Sequence, residues 1–391
     1  MKVLIIGGGP AGASAAYFLA KAQIEVTVID KAKFPRDKTC GDGVSARAFY
    51  TLFRMGIRSA QEFTSGQEIS SVYQLDWYGN RNFIDAPRNL YGNPFSVISR
   101  KEFDHALITK AVGAGATLIE GVSVTEIRKD GNDFRVHFGN RTEKADVVVG
   151  ADGVNSLVRS KFFQSPFLPT EKAFAYRAYF ENVNLDFQNS YHFVYLKELY
   201  PGYAWIFPLS GNKANIGVSY PAVEDHKVTI KPEEAFENLL SLPSLQKELK
   251  NAKMVDRPRG YHIPMRVGKG SLVKDSVFLC GDSAGLVDPI TGDGIDFALE
   301  SGSMVAEDII DYTKINWRKR KLGDLYNDKC HRNIVDSLRL KELQKKVFLR
   351  KNAVDRYFKN RSKVHDQFLV SSAVLGTANS SDLLRLYLHT L

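Results

Sequence analysis

A glycine-rich turn joins an apolar strand to a helix at the start of the chain, and this feature constrains the fold more than any other. Residues 2–6 are aliphatic, residues 7–12 read Gly-Gly-Gly-Pro-Ala-Gly, and residues 11–22 have helical composition. A second apolar run, residues 25–30, ends at Asp30. A strand, turn, helix and strand within about 30 residues match the size of a nucleotide-binding βαβ unit.

The turn satisfies the pattern G-x-G-x-x-G, and each glycine has a physical reason. Gly7 permits the tight turn, Gly9 lets the backbone approach a pyrophosphate, and Gly12 lets helix and strand pack closely. The helix N-terminus directs free N–H groups and its positive dipole end at the phosphates. Asp30 lies 18 residues after Gly12, where a carboxylate can accept hydrogen bonds from ribose hydroxyls. We therefore predict dinucleotide contacts from this turn, including Pro10 and Ala11, and from Lys31 after the second strand.

Two later motifs distinguish the dinucleotide. An apolar strand leads into Asp152-Gly153, and another leads into Gly281-Asp282. With the N-terminal glycines, these motifs resemble the flavoprotein hydroxylases, epoxidases, halogenases and prenyl reductases. The resemblance implies bound FAD, with Asp282 on the ribitol hydroxyls and Asp152 near the pyrophosphate.

The segment after Gly281-Asp282 is a candidate contact for the flavin ring. Residues 288–295 read Asp-Pro-Ile-Thr-Gly-Asp-Gly-Ile. Gly292 and Gly294 let backbone amides approach a planar ring. A helix beginning near Ile295 would face the flavin pyrimidine with its positive end, which stabilises the anion formed there on reduction.

Within that group, the chain most resembles the geranylgeranyl reductase family. Residues 38–43, Lys-Thr-Cys-Gly-Asp-Gly, are similar to the family's K-x-C-G-x-G segment, and residues 203–208, Tyr-Ala-Trp-Ile-Phe-Pro, match its Y-x-W-x-F-P signature. The family signature closes with G-x-G, whereas residues 215–217 here are Asn-Ile-Gly. Family members reduce isolated double bonds in long prenyl chains. The altered glycine weakens the case for an identical substrate but not the case for FAD.

The aromatic signature also has an interpretation from its residues alone. Tyr203, Trp205 and Phe207 alternate, so their rings project from one face of a strand. Such a face suits an apolar ligand lying against a flavin, and core packing would produce the same pattern. We predict substrate contact for all three rings. Tyr203 and Cys40 are the candidate proton donors.

Further cofactor contacts are predicted where loops and helix starts return to the flavin. They are Cys40, Gly41, Arg100 and Val124. For Cys40 a buried inert thiol is an equal alternative, and for Arg100 an exposed helix-start side chain is an alternative. A redox pair of Cys40 with Cys280 has no support in the sequence.

These elements predict a mixed α/β fold with an α+β substrate part. A Rossmann-type FAD-binding domain with a mainly parallel sheet is expected from residues 1–75, 98–165 and 270–315. Alternation between residues 173 and 220 predicts an antiparallel sheet, so residues 76–97 and 166–269 are assigned to a substrate domain. Residues 316–391 are assigned to a basic helical C-terminal region.

The expected reaction is saturation of C=C bonds in a polyprenyl lipid or quinone by hydride transfer from flavin N5. Because no second dinucleotide fingerprint is present, NAD(P)H or another reduced carrier would bind transiently. Two rivals remain. One is an FAD-dependent monooxygenase or halogenase-like enzyme acting on an apolar or aromatic substrate, although the halogenase-type W-x-W-x-I-P segment is absent. The other is a membrane-docked flavin electron-transfer protein.

Charge and cysteine usage bear on location and partners. Residues 314–363 hold 17 Lys and Arg against 5 Asp and Glu, out of 53 and 44 in the chain. This excess predicts peripheral contact with an anionic membrane, and a solvated helix face is an equal alternative. The basic run lacks a nucleic-acid fold, so no nucleic-acid partner is expected.

Three scattered cysteines are too few for a disulfide framework or a zinc site. This cysteine usage predicts a cytoplasmic protein, which would lie at the inner face of the membrane if it docks. The sequence leaves the oligomeric state open.

Overall fold

The computed structural model describes residues 1–85, 95–220, 230–265, 270–314 and 321–348. The α-helices within these ranges are α1 (Pro10–Lys21), α2 (Ala48–Arg54), α3 (Arg100–Gly113), α4 (Pro232–Leu240), α5 (Gln246–Leu249), α6 (Ile295–Lys314), α7 (Asp324–Cys330) and α8 (Asp336–Phe348). The first ten strands are β1 (Lys2–Ile6), β2 (Glu25–Asp30), β3 (Gly43–Val44), β4 (Gln67–Ile69), β5 (Ser71–Leu75), β6 (Arg81–Asp85), β7 (Phe95–Val97), β8 (Thr117–Glu120), β9 (Val124–Asp130) and β10 (Asp133–Phe138). The later strands are β11 (Arg141–Ala145), β12 (Val147–Gly150), β13 (Lys172–Glu181), β14 (Ser190–Val194), β15 (Ala204–Leu209), β16 (Lys213–Tyr220), β17 (Lys253–Met254), β18 (Arg259–Pro264), β19 (Val273–Lys274) and β20 (Val277–Leu279).

The first sheet is the predicted Rossmann-type sheet. Its strand order is β19-β20-β12-β1-β2-β8, and only the β19–β20 pair is antiparallel. Strands β1, β12 and β20 are almost wholly buried, which explains their continuous apolar runs. Helices α1, α3 and α6 complete this core, with α1 packed against both others. The mixed α/β fold class is therefore confirmed.

The second sheet is the predicted antiparallel sheet. It runs β17-β13-β16-β15-β14-β5-β6, and β18 also pairs with β13. All pairs are antiparallel except β14 with β5. Phe236 and Leu239 of α4 cover one face, whereas Tyr191, Trp205 and Phe207 project from the other toward the first sheet. Two small three-stranded sheets, β11-β10-β9 and β3-β7-β4, flank the main ones.

The predicted domain boundary at residue 75 requires a correction. Strand β5 (Ser71–Leu75) was assigned to the FAD-binding domain, but it pairs with β14 and β6 in the second sheet. All five of its side chains are buried. Such a strand has no solvent-exposed face to distinguish the two sheets, and its partner β14 lies more than 100 residues later in the chain.

The described part of the basic C-terminal region packs on the first core. Tyr326, Cys330, Ile334 and Leu338 are fully buried there. The Tyr326 hydroxyl donates to the Leu279 carbonyl at 2.5 Å. Residues 316–320 and 349–391 of the predicted basic helical region lie outside the described residues.

Candidate functional site

A cavity of about 1440 Å³ lies between the two sheets. Its walls come from the N-terminal turn, the loop after β2, the β12 and β20 ends, the aromatic face of the second sheet and α8. Almost all of the predicted site residues line it: Gly7, Gly9, Pro10, Ala11, Asp30, Lys31, Cys40, Gly41, Arg100, Val124, Asp152, Gly153, Tyr203, Trp205, Phe207, Asp282, Gly292, Gly294 and Ile295. Gly12 and Gly281 lie behind the wall.

The N-terminal turn leaves room for a ligand on one side only. A Cβ on Gly12 would lie 1.9 Å from the Gly7 oxygen, so this glycine is needed for helix–strand packing. A Cβ on Gly9 would meet only the Arg36 side chain, at 3.7 Å, so its cavity side is open. Gly9 is the N-cap of the 12-residue helix α1 and supplies no side-chain cap. The first-turn amides are therefore available to an anion.

Asp30 orders this turn through its carboxylate. Its Oδ2 accepts from the Gly8 amide at 2.7 Å, and its Oδ1 accepts from the Ala32 amide at 2.8 Å. Each oxygen keeps a second lone pair that can accept a ribose hydroxyl. Lys31 and Val124 lie on the cavity wall with it.

Two arginine side chains on the wall, Arg36 and Arg100, share one buried acid that was not predicted from the sequence. Asp104 accepts from Arg100 Nε at 2.7 Å and from its second guanidinium nitrogen at 2.8 Å. Arg36 also donates to Asp104 at 2.8 Å and approaches Asp30. Arg100 is buried in the wall, so the alternative of an exposed arginine is wrong. The helical i, i+4 spacing of Arg100 and Asp104 was the available signal.

The two motifs that follow parallel strands have different partners. Asp152 caps the next helical turn, accepting from the Ser156 hydroxyl at 2.5 Å and the Leu157 amide at 2.7 Å. Burial raises the pKa of Asp152, and these hydrogen bonds oppose the rise. Asp282 faces the cavity and pairs with Lys38 at 3.1 Å.

The segment after Gly281-Asp282 is held in place by α8. Asp288 Oδ1 accepts from the amides of Ile290 and Thr291 at 2.8 and 3.2 Å, and its Oδ2 pairs with Lys341 of α8. This contact joins residues 53 positions apart. The sequence predicts the segment but not Lys341, because nothing local marks a distant partner.

The aromatic signature projects into the cavity as expected. Trp205 and Phe207 are nearly buried, and Tyr203 donates its hydroxyl hydrogen to the Thr291 carbonyl. Burial raises the pKa of Tyr203. A Cβ on Gly217 would lie 2.3 Å from the Trp205 ring, so this position must be glycine for the indole to lie flat on the sheet. The Tyr203 proton is engaged by backbone, whereas the rings form an apolar wall.

Cys40 faces this wall and is half-buried. Burial raises the pKa of the Cys40 thiol, with Arg100 offsetting part of the rise. Cys280, by contrast, is buried with its sulfur against the Gly150 carbonyl, and no disulfide joins the two thiols.

Two buried residues beneath the cavity wall were not predicted as functional. Asp42, within the Lys-Thr-Cys-Gly-Asp-Gly segment, and Asn215, at the altered signature glycine, hydrogen-bond to each other at 2.9 Å. Both are fully buried. The departure at Asn215 was the signal in the sequence, but its partner lies 173 residues away.

The chemistry of the wall fits FAD. Uncapped amides suit a pyrophosphate, acceptors suit hydroxyl-bearing ribose and ribitol, and the Gly292–Ile295 segment offers backbone close to a planar ring. These groups occupy one continuous cavity that ends at the aromatic face.

Comparisons with known proteins agree with this fit. Residues 1–339 match the family described as FAD binding domain. The menaquinone reductase of Mycolicibacterium smegmatis is 30% identical over 318 residues, covering 78% of this chain and 75% of the relative. The digeranylgeranylglycerophospholipid reductase of Methanococcus vannielii is 28% identical over 362 residues, covering 87% and 88%. The crystal structure of a geranylgeranyl bacteriochlorophyll reductase-like protein from Thermoplasma acidophilum shares the fold, with a TM-score of 0.80 at 21% identity over 98% of this chain and 95% of that chain.

Proposed function

Since this chain belongs to the FAD binding domain family and is an FAD-dependent reductase of the geranylgeranyl reductase and menaquinone reductase type, we propose that it saturates C=C bonds in the prenyl chain of a lipid or quinone. One observation carries the proposal. The rings of Tyr203, Trp205 and Phe207 line the same cavity as the dinucleotide-binding turn. An apolar chain lying on these rings would be next to the flavin end of the cavity.

The size of the cavity supports two ligands. At about 1440 Å³ it exceeds the range of roughly 300–1,000 Å³ that is usual for a single small-molecule site. FAD would take the part between Asp30 and Gly292. The remainder, beside the aromatic wall, would take the prenyl chain.

The residues divide the binding of FAD between them. We propose that the turn at Gly7–Gly12 and the α1 amides bind the pyrophosphate, Asp30 a ribose, and Asp282 the ribitol hydroxyls, with Lys31, Val124 and Asp152-Gly153 as further contacts. The Gly292–Ile295 backbone and Gly41 would lie against the ring. Reduced FAD, when bound, supplies a hydride to one carbon of the double bond.

The second carbon needs a proton, and Cys40 is the better placed of the two predicted donors. Its thiol stays protonated at neutral pH because burial raises its pKa. Arg100 would stabilise the thiolate left after the proton has been donated. Tyr203 already donates to Thr291, so we propose that it positions the segment after Gly281-Asp282 and the substrate instead. NAD(P)H or another reduced carrier would reduce the flavin transiently.

The test is a single-turnover reaction without oxygen. Purified, chemically reduced protein is mixed with a geranylgeranylated lipid or a menaquinone, and flavin absorbance and product mass are followed. Reoxidation is expected, with two hydrogens gained per saturated bond and located by fragmentation on the prenyl chain rather than on the quinone ring. Cys40→Ala should lose most of this rate, whereas Cys330→Ala, at a buried thiol outside the cavity, should retain it in protein that stays folded.

The rival reactions predict other results. A flavin that stays reduced with every prenyl substrate, followed by hydroxylated product or peroxide when air enters, would favour the monooxygenase. Reoxidation by a protein or quinone acceptor without saturated product would favour electron transfer.

Membrane contact remains a separate proposal. Among the described residues, none of the helices combines the length and apolar character needed to cross a bilayer. Lys319 and Arg320 lie outside the described residues, while Lys341 pairs with Asp288 and Lys345 is half-buried. Contact would therefore depend on the other basic residues of the region, of which Lys321, Arg332 and Arg339 are exposed in the structure. Co-sedimentation with anionic liposomes at low salt tests it, and failure to bind there would remove the claim.

A further inference from the structure

Asn215 connects three separate parts of the cavity wall. It lies on β16, opposite Phe207 of β15 and Tyr179 of β13. Its Oδ1 accepts from the Trp205 indole at 2.9 Å, and its Nδ2 donates to the Cys40 carbonyl at 2.7 Å. The same Nδ2 donates to Asp42 Oδ2 at 2.9 Å. Asn215 therefore fixes both the aromatic wall and the loop that carries Cys40.

Asp42 is the second fixed point beneath this loop. Its backbone has φ of 65°, a conformation that favours Gly, Asn and Asp. The Tyr179 hydroxyl also donates to Asp42 Oδ2, at 2.6 Å. Among the described residues Asp42 Oδ1 has no hydrogen-bond partner. Arg177 of β13 and Arg100 of α3 are the cations that act on the carboxyl.

The loop and the indole are packed directly together. A Cβ on Gly41 would lie 3.2 Å from the Phe207 ring and 3.5 Å from Trp205 Nε1. Gly217 supports the other side of the indole. The Trp205 ring is thus held between two glycines, with its only polar atom bound by Asn215.

We propose that Asn215, together with Asp42, is the specificity-determining pair of the substrate site, holding Trp205 and the Cys40–Gly41 backbone in one arrangement so that a prenyl chain binds in a single register. The proposal rests on the proposed function. A prenyl chain consists of repeated apolar units, so no polar group along it distinguishes one double bond from the next. Only a rigid wall can then decide which bond reaches the reacting position.

Glycine at position 215, as in the family signature, would remove this rigidity. The Trp205 N–H, the Cys40 carbonyl and the Asp42 carboxyl would each lose a buried partner. The indole would then be free to shift, and the chain could slide by one unit. The saturated product should change from one species to several.

The experiment compares Asn215→Gly with Asn212→Gly in the FAD-loaded protein. Asn212 lies exposed at the turn of the same hairpin with φ of 55°, where glycine is suitable, so it is a matched control. The positions of the bonds reduced in one prenyl substrate are mapped by tandem mass spectrometry. Wild type and Asn212→Gly should give one predominant product. Asn215→Gly should give several, with kcat/KM for the predominant bond lowered roughly tenfold or more.

A second readout does not depend on turnover. Deuterium exchange of the Trp205 indole N–H is followed by NMR of tryptophan-labelled holoenzyme, with the resonance assigned from Trp205→Phe; the chain has three tryptophans. Exchange should be roughly tenfold or more faster in Asn215→Gly than in wild type. Asp42→Asn keeps the shape of the side chain and tolerates the backbone conformation. It should change the product distribution and the indole exchange rate in the same directions as Asn215→Gly, but by less. It replaces Asn215→Gly in both measurements if that variant does not fold.

The outcomes separate the two proposals. Unchanged indole exchange would overturn the role of Asn215, and faster exchange with an unaltered single product would overturn the role in specificity. If wild type reduces no prenyl substrate, the proposed function fails and the specificity claim falls with it, whereas the exchange data still decide whether Asn215 immobilises the indole.

Discussion

Replacing Gly217 by alanine tests the packing of the aromatic wall directly. The added Cβ would lie 2.3 Å from Cζ2 of Trp205 and 2.7 Å from Cβ of Arg177. Non-bonded carbon atoms pack at about 3.5–4.0 Å, so the indole must move by more than about 1 Å. Overpacking of this kind costs about 1–3 kcal/mol. A displaced indole also leaves its N–H and the Asn215 oxygen unpaired, which costs about 1–3 kcal/mol more.

We therefore expect Gly217→Ala to lower the free energy of unfolding by about 2–6 kcal/mol. Urea unfolding at fixed, saturating FAD measures it. Gly113→Ala is the control, because a Cβ at this helical position meets nothing within 4 Å and should change the free energy by about 1 kcal/mol or less. In a double mutant with Trp205→Phe, which removes the colliding ring, much of the loss should be recovered. A Gly217→Ala protein as stable as wild type when Trp205 is present, or a loss of stability that is unchanged in the Trp205→Phe background, would refute the packing argument.

Three further predictions concern charged groups. Burial raises the pKa of Asp42 from 3.8 to about 6, and Arg177 is among the groups that oppose the rise. Because the folded protein holds this proton more tightly than the unfolded chain, Asp42 contributes stability that is complete below about pH 4 and is lost as the pH rises through about 6. Asp42→Asn should remove up to about 3 kcal/mol of that pH dependence, measured by unfolding between pH 4 and 7. Lys341→Ala leaves Asp288 buried without its cation and should lower the free energy of unfolding by about 3 kcal/mol, with a clear fall in the thermal midpoint. Arg339→Ala, in an exposed pair on the same helix, is the control and should change the thermal midpoint little. Asp282→Ala should weaken FAD binding roughly 10- to 100-fold by fluorescence titration, and unaltered affinity would contradict its assignment to the ribitol.

Features governed by local geometry were predictable from the sequence. The βαβ unit, the helix after Asp288 and the alternation of Tyr203, Trp205 and Phe207 follow from residue periodicity and glycine placement. Each requires contacts only within one strand or turn. For this reason the fold class was foreseen, and most of the predicted site residues line the cavity.

Features that depend on distant pairing were not predictable. The burial of β5 on both faces fits either sheet, and only its pairing with β14 decides between them. The bonds from Asn215 to Cys40 and Asp42, and from Lys341 to Asp288, join residues that no sequence period relates. A polar residue in place of an expected glycine was the one visible sign of such a contact.

The strand order of the first sheet has a consequence for synthesis of the chain. Strand β1 lies between β2 and β12, so one edge of it has no native partner until residue 150 has been made. At translation rates of about 5–20 residues per second, that interval is roughly 7–30 s. An unpaired apolar edge is a template for aggregation. Lys341, which closes the cavity wall, follows roughly 10–40 s later still, so the nascent chain carries its dinucleotide turn long before a complete flavin site exists. Within the first sheet, the β1 edge is therefore the one that waits longest for its partner during synthesis.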